Sequence, residues 1–580
     1  MISLLAAALI ATTTQTQKTF DQLWNEEQKQ RSQLGDVLDD KKSTEEQVRK
    51  AIADLQKLKE FCSSPEIRTL KGSDGQPGLY YQRNDILMQI ISGYARLKDE
   101  PKTVASIEEL VASLTAPDTW LVGAKAMYFS SYADQIKNDD YVAKLLPNKR
   151  IENLLSELKS RNPNRIIDSL PYAVDDTEKL SVEDRIAGLS YIWSEAKYNF
   201  ANFDLVPKLD WDGAYRKYLP LVSAPQTRYA YYNLLREFIS NLKDSHTDVA
   251  LPQSVSTAEE VRPGVPVARI GDQVVVSFEP SEGFRKLGLK RGDVIRKIDG
   301  VDAIEYGRKT WAHRVSCSTP QDADVRVYTY MLLRGKAKTN INLEVEHADG
   351  AISKVSIARD GKIPGTFLEP SEFKILPDGT AYFAFNTCSS RAPSEAFAKC
   401  LPEIRKAGRL IIDARMNDGG DSGVGWDILS HLIDKPIVAG RWETRTYRPS
   451  FRAWRQAVDP YTGSYSIEPD KEHFDGPVAV LCGPRTFSAG EDFLSAYKGS
   501  KRGPLIGMPS GGSTGQPLSF RLPGGGWARI CTKRDRMGDG TDFVGKGVIP
   551  DTKIWMTVDA LRKGGDPVLE EAIRQVTEKR

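Results

Sequence analysis

The apolar run Pro477-Val478-Ala479-Val480-Leu481-Cys482 stops at Gly483-Pro484, and Ser488-Ala489-Gly490-Glu491 then opens a helical pattern. An unbroken apolar stretch closed by Gly-Pro reads as a buried strand, so Ser488 stands where a strand hands over to a helix. A helix N-terminus offers unpaired backbone N–H groups and the positive end of a dipole, which together stabilise an oxyanion forming beside a serine hydroxyl. The same spacing fits a plain helix cap, with Glu491 closing a capping box three residues on. Local sequence by itself favours the cap, and the rest of the chain shifts the balance.

The chain has 580 residues, too many for one core at about 150 residues per domain. A formal net charge of +2, with 27% charged and 40% hydrophobic residues, gives no electrostatic reason to expect a nucleic-acid partner. Met1 to Ile10 is apolar but too short to span a bilayer, and reads either as a short secretory signal peptide or as a buried N-terminal helix. The first reading predicts residues 1–19 as a signal segment and an exported, periplasmic or extracellular, protein. No later run is long and apolar enough to predict a membrane span. The six cysteines are scattered without metal-ligand spacing, and Cys388, Cys482 and Cys531 lie in or beside strand-like runs, where the residue packs as a small hydrophobe. Five histidines without paired spacing predict no zinc site, and no motif predicts a cofactor.

Residues 20–160 read as a charged helical bundle, with apolar positions Val48, Ile52, Leu55 and Leu58 at helical spacing and a Gly/Pro break at residues 72–78. A polar stretch at residues 160–165 reads as a linker. Helical periodicity resumes through Trp193, Tyr215, Tyr231, Leu235, Phe238 and Leu242, an aromatic stripe better suited to a core than to a ligand surface. It ends at Asp244-Ser245-His246-Thr247, between a helix and an apparent strand. Residues 264–360 turn to short strands, and Leu287-Gly-Leu-Lys-Arg-Gly-Asp293, followed by a tight Asp299-Gly300 turn, resembles a PDZ domain. Residues 366–561 alternate strands and helices: a strand at residues 380–385, a helix at 394–406, and a buried strand at 409–415. The last runs into the glycine-rich turn Asn417-Asp418-Gly419-Gly420. That turn lacks the residues of a phosphate cradle.

Taken in order, these stretches resemble the S41 serine peptidases, the tail-specific or C-terminal processing peptidases and their tricorn-like relatives. The resemblance covers roughly residues 183–560. It implies a multidomain α+β protein: an N-terminal helical region, an S41 helical segment at 183–255, a PDZ-like β-rich module at 264–360, a C-terminal α/β catalytic domain of crotonase/ClpP-like type at 366–561, and a last helix at 562–580. It further implies that Ser488 is the nucleophile. The N–H of Ala489 and that of Gly419 or Gly420 would form the oxyanion hole, where glycine lets the backbone approach the substrate.

One branch of the family uses a lysine base after the nucleophile, but the matching stretch, Gly507 to Gln516, contains none. The tricorn-like branch uses histidine in a Ser-His element, matched by Ser245-His246, which makes His246 the implied general base. The branch's glutamate, three residues before Gly547-Val548, appears here as Val544. Asp542 is the substitute candidate, on the same side of a regular strand but about 6–7 Å along it. Ser245 is an alternative holder of a water or polar partner for the imidazole. Asp413 and Arg415 are expected to lock their turn, and Glu491 to cap or brace its helix. The implied function is hydrolysis of peptide bonds in peptides or unfolded proteins, with the PDZ-like module binding chain ends. The competing reading is a catalytically inactive scaffold on the same fold. A crotonase-type acyl-CoA activity has only fold analogy behind it.

Overall fold

The computed structural model describes residues 20–70, 78–115, 125–161, 176, 179–361 and 368–578. The expected signal segment, the break at 72–78 apart from Gly78, and nearly all of the expected linker lie outside these residues. The chain forms two compact units, Met1–Leu170 and Pro171–Arg580.

The first unit is helical: α1 (Phe20–Asp39), α2 (Glu45–Cys62), α3 (Gly78–Arg96), α4 (Glu100–Thr115), α5 (Lys125–Asn138) and α6 (Lys149–Arg161). Thr44 caps α2 through a reciprocal capping box with Gln47, fixing where the helix begins. From there the stripe read in the sequence, Val48, Ile52, Leu55 and Leu58, falls on one face and packs with Ile86 and Ile90 of α3 and Leu110 of α4. Arg96 closes the turn after α1 by donating to the carbonyls of Leu38, Asp40 and Ser43.

The second unit begins with α7 (Val182–Asn199), α8 (Trp211–Ser223) and α9 (Arg228–Ile239). The aromatic stripe is core, as its periodicity implies: Tyr231, Tyr232, Leu235 and Phe238 are buried, and Trp211 stacks on Phe238 at 4.3 Å. Buried Arg185 donates to the carbonyls of Leu180, Val222 and Ser223, so its charge is dispersed over backbone dipoles that tie α7 to the end of α8. After α9 the chain enters the short strand β1 (Asp248–Ala250).

Five strands in sequential order form the main path of a six-stranded antiparallel sheet, β2 (Val267–Ile270), β3 (Gln273–Val276), β4 (Val294–Ile298), β5 (Asn340–Glu346) and β6 (Ile352–Ala358), and the two-residue strand Val301–Asp302 pairs with β4 off that path. The Asp299-Gly300 turn has positive φ at both residues, 48° and 84°, as a tight two-residue reversal requires. Val267, Val276, Ile295, Ile298, Ile341 and Leu343 fill the core of this sheet with Phe284 and Leu289.

The remaining strands are β7 (Ser371–Ile375), β8 (Ala381–Phe385), β9 (Leu410–Asp413), β10 (Ile437–Thr444), β11 (Tyr461–Ile467), β12 (Val478–Cys482), β13 (Leu505–Gly507), β14 (Pro517–Arg521), β15 (Trp527–Cys531), β16 (Lys533–Met537) and β17 (Thr552–Lys553). A six-stranded sheet runs β17-β13-β12-β9-β8-β7, parallel throughout except at β7. Its central strands are buried along their whole length, as the unbroken apolar runs demand. Helices α10 (Ala392–Ala407), α11 (Ser422–Ser430), α12 (Ala489–Ser500) and α13 (Pro567–Glu578) pack against it: Phe397, Ile428, Phe493 and Leu494 on one core, Val568, Ala572 and Val576 on another. Two three-stranded sheets flank it, β1-β15-β14 and β11-β10-β16.

Ile412 on β9 is completely buried, whereas Ile375 on edge strand β7 is 49% exposed. Ile412→Ala should lower unfolding free energy by about 2–5 kcal/mol and Ile375→Ala by about 0.5 kcal/mol or less, measured by urea denaturation. Equal effects would mean that the central sheet is not the core of this unit.

Candidate active site

Strands β9 and β12 lie side by side in parallel, Leu410 against Val478 and Asp413 against Leu481. The turns that leave their C-terminal ends therefore emerge together, which is where open parallel sheets carry their sites. After β12, Thr486 donates its hydroxyl to the Ala414 carbonyl, and the Phe487 N–H donates to the Asn417 carbonyl. These bonds stitch one turn to the other. Asp413 and Arg415 lock the first turn as expected: the guanidinium bridges Asp413 and Asp566, and Tyr382 donates to Asp413.

Ser488 closes the second turn at φ 54° and ψ −125° and makes no side-chain cap bond to α12. The helix-cap reading of this serine is thereby overturned. A side chain held in so sparsely populated a conformation is over-determined by its surroundings, and here it is presented to a neighbouring ring. His246 Nε2 lies 2.9 Å from Ser488 Oγ.

Several contacts fix that imidazole. Lys243 takes a left-handed conformation after α9, and buried Asp244 accepts the His246 N–H at 2.9 Å and the Asn202 amide at 2.9 Å. One residue further on, Thr247 accepts the Cys531 N–H, and β1 pairs with β15. The ring lies flat on Phe487, with centroids 4.7 Å apart and planes 7° from parallel. Arg326 sits 5.2 Å from the centroid of that phenyl ring.

The other imidazole nitrogen, Nδ1, lies 2.8 Å from Ser513 Oγ. Ser513 and its neighbours are arranged by Glu491: one carboxyl oxygen faces Ser510 Oγ at 2.5 Å and the Gly512 N–H at 2.7 Å, the other the Ser513 N–H at 2.8 Å. Glu491 thus braces the loop facing the imidazole, rather than capping its own helix. Burial pushes its carboxyl up to about 8, against the pull of those three hydrogen bonds. Burial also holds the His246 imidazole well below its usual range, and the nearby charges of Arg529, Arg326 and Lys533 push the same way. The imidazole is therefore neutral at neutral pH and ready to accept a proton.

Two expected partners of His246 are elsewhere. Asp542 is held by Arg536 at 2.9 Å and Arg534 at 3.3 Å, and the Nδ1 position it was to fill belongs to Ser513. Ser245 turns its hydroxyl to Asp322 and to Ser318, and Arg326 pairs with the same Asp322. Val544 is buried in the hydrophobic core beside Phe543 and Val548, so the carboxylate position of the tricorn-like pattern is part of the packing. The residue that meets Nδ1, missed in the sequence, is Ser513. Its only signal was a serine in the glycine-rich stretch Ser510 to Gly515, one type of residue among several that fit such a loop.

The Gly419-Gly420 turn faces Ser488. A Cβ on Gly419 would stand 2.6 Å from Ser488 Cβ, and one on Gly420 2.3 Å from the Cys388 carbonyl, with φ of 99° and 136°. Both positions require glycine. The two N–H groups differ: that of Gly419 donates to Asn417 Oδ1 at 3.0 Å, whereas the parallel bridge at Gly420 uses the Gly419 carbonyl and the Asp421 N–H and leaves the Gly420 N–H outside the pairing. At the start of α12 the N–H groups of Gly490, Glu491 and Asp492 bond back to Phe487 and Ser488, and Ala489 is the first helical residue. Among the described residues no group of three or more His, Cys, Asp or Glu side chains is placed to hold a metal ion, and no helix is long and apolar enough to cross a membrane. All six cysteines are free thiols, and Cys388, Cys482 and Cys531 are buried.

Comparison with known proteins gives this site a family. Residues 379–554, which carry the two turns, Ser488, Glu491 and Ser513, match the model of peptidase family S41, and residues 189–240 match the tricorn protease C1 domain. The C-terminal processing peptidase, chloroplastic, of Tetradesmus obliquus is 24% identical over 353 residues, 59% of this chain and 70% of that protein. Carboxyl-terminal-processing peptidase 2, chloroplastic, of Arabidopsis thaliana is 24% identical over 338 residues, 58% of this chain and 59% of that protein. The structure of mature CPAF complexed with lactacystin shares the fold with a TM-score of 0.54 at 14% identity, over 68% of this chain and 98% of that one. With residues 379–554 matched by the model of peptidase family S41 and relatives that are processing peptidases, the chain carries an S41 peptidase domain and is a serine-type peptidase.

Proposed function

We propose that this peptidase cleaves peptide bonds through an acyl-enzyme on Ser488, with His246 as general base. The observation that carries the proposal is the 2.9 Å approach of His246 Nε2 to Ser488 Oγ, between residues 242 positions apart in the chain. As Ser488 Oγ attacks the scissile carbonyl carbon, its proton passes to Nε2 and the carbonyl oxygen becomes an oxyanion. The proton then moves to the leaving nitrogen as the C–N bond breaks. Water repeats the sequence, giving its proton to Nε2 and its oxygen to the acyl carbon, and collapse releases the acid and restores the serine. For the oxyanion we assign the N–H groups of Ala489 and Gly420. The Gly419 N–H is engaged by Asn417, and that turn residue shapes the hole rather than donating to it.

The positioning of the base is the departure. With Nε2 accepting from Ser488, Nδ1 carries the proton and donates it to Ser513 Oγ, so a hydroxyl stands where a carboxylate would usually orient the ring. Glu491 acts one step back, through the backbone of Gly512 and Ser513. The scaffold reading rests on the absence of a carboxylate against the imidazole, and the probe experiment below decides against it or for it.

The antiparallel sheet built on β2 to β6 supports a PDZ-like role. Among the described residues its edge strand β2 pairs with β3 alone, and we assign the other edge to an added strand from a substrate's end. Substrates would then be unstructured tails of peptides or proteins.

Ser488→Ala should lower kcat on a peptide substrate on the order of 10⁶-fold, and a fluorophosphonate probe should label Ser488 in the native chain. A folded protein that is neither labelled nor hydrolytic would be the scaffold. The pH profile tests the base and its support. The acid limb of kcat/KM should lie below pH 6.5, because the folded imidazole resists protonation. Ionisation of Glu491 near pH 8 places negative charge behind Ser513 and favours the imidazolium, so kcat should rise further there; Glu491→Gln should lose that second rise. Ser513→Ala should reduce kcat about 10²-fold with little change in KM, whereas a change in KM alone would remove Ser513 from the base's support. Amidating the C-terminus of a tail substrate should raise its KM; an unchanged KM would refute capture of chain ends.

A further inference from the structure

The chain as a whole is almost neutral, with 80 Lys and Arg against 78 Asp and Glu. One cavity departs from that balance. It measures about 460 Å³ and is lined by Lys197, Arg445, Arg448, Arg452 and Arg455, with no acidic residue in its wall. Lys197 is paired with Asp212 at 2.8 Å, but among the described residues the four arginines form no ion pair. Their held positions come from neutral partners. Arg445 donates to the carbonyl of Lys197 at 3.1 Å and lies 5.6 Å from the Phe203 ring centroid, Arg452 donates to Tyr198 Oη at 3.2 Å, and Arg448 lies 5.1 Å from the Phe451 centroid.

Four like charges brought together without a counter-ion repel one another, and each retains guanidinium N–H groups that a carboxylate can take in pairs. The surroundings are also apolar in a way that a merely solvated basic face is not. Tyr198 and Tyr447 meet edge to face at 5.3 Å and are 41% and 53% exposed, and Trp454 on the same segment is 65% exposed. Aromatic rings beside arginines are the composition of recognition surfaces.

We infer that this cavity is a second substrate-binding site, which takes an acidic polypeptide segment lying outside the scissile bond. The inference rests on the peptidase reading above, since it makes the ligand part of the substrate. A polypeptide fits better than a membrane or a nucleic acid because the cationic groups converge in a concavity beside aromatic rings, and the net charge of +2 supplies no extended basic face. The site is joined to the catalytic one by the sheet system. Arg445 follows β10, Thr444 of β10 donates to the Thr532 carbonyl, and the adjacent Cys531 N–H donates to Thr247, next to His246.

The test uses the full chain carrying Ser488→Ala, so that bound peptide is not consumed. A fluorescein-labelled peptide rich in Asp and Glu should bind by anisotropy, weaken as salt is raised, and bind at least about tenfold more tightly than its Asn/Gln counterpart. Adding R448E, R452E and R455E should weaken it about tenfold or more, with an unchanged thermal transition as the check on folding. If the triple variant unfolds, R455E alone, at an exposed position, should still weaken binding severalfold. Equal affinity for the two peptides, equal affinity in the variants, or binding of phosphatidylserine vesicles or single-stranded DNA in place of the acidic peptide would overturn the inference. No fluorophosphonate labelling of Ser488 in the unsubstituted chain, with acidic-peptide binding intact in the Ser488→Ala chain, would reject the hydrolase and not this site; labelling of the unsubstituted chain without peptide binding would reject this site alone.

Discussion

The register between two buried parallel strands governs the site. Because Asp413 of β9 is level with Leu481 of β12, the Gly419-Gly420 turn and the Ser488 turn leave the sheet at the same height and must pack against each other. The fit is tight enough that a Cβ on Gly419 would stand 2.6 Å from Ser488 Cβ, and the Phe487 N–H bonds directly to the Asn417 carbonyl. The unusual backbone angles of Ser488 are held by this packing rather than by a local preference of serine, since αL-like φ values are costly for residues bearing a Cβ. Hydrophobic burial of the strands is thus what holds the hydroxyl in place.

The imidazole comes from another layer. Helices α7 to α9 bury an aromatic core, Tyr232 accepts from the Gly526 N–H and donates to the Pro523 carbonyl, and the hairpin of β14 and β15 is thereby fixed to α9. Strand β1 joins that same hairpin immediately after His246. The distance between hydroxyl and imidazole is consequently set by two packed assemblies, the parallel sheet on one side and the helices with their hairpin on the other.

The electrostatics of the pair follow from burial. Three cations near His246 and its own desolvation favour the neutral ring, while the cations are each matched by an acid: Arg326 by Asp322, Arg529 by Asp248, Lys533 by Asp535. Asp322, Asp248 and Asp535 are thus spent on neighbouring cations, Asp244 accepts from the His246 N–H and the Asn202 amide, and a serine hydroxyl is left to meet Nδ1. Glu491 is buried behind it and bound to backbone N–H groups, so its influence on the ring depends on its own protonation.

Much of this was legible in the sequence where the signal is local. The apolar run ending at Gly483-Pro484 marked β12, the stripe from Val48 to Leu58 marked a helix face, Asp299-Gly300 marked a hairpin turn, and Ser-His and Gly-Gly elements in family order marked His246 and the glycine turn. Periodicity and turn chemistry act over a few residues, and those few residues are contiguous in the chain. The orienting partner of His246 was not legible, since Asp542 has only its nearness in sequence to a motif to recommend it. The actual partner lies 267 residues from His246, and no local pattern reports a hydrogen bond across that separation. Asp542 was claimed instead by Arg536 and Arg534, a choice that depended on which cations the fold brought near it. The sequence by itself determined which segments become strands, helices and turns, because those follow from short-range sterics and burial. Only the tertiary structure decided which polar groups face one another, because in a buried site each donor and acceptor must find its partner among whatever the packing delivers.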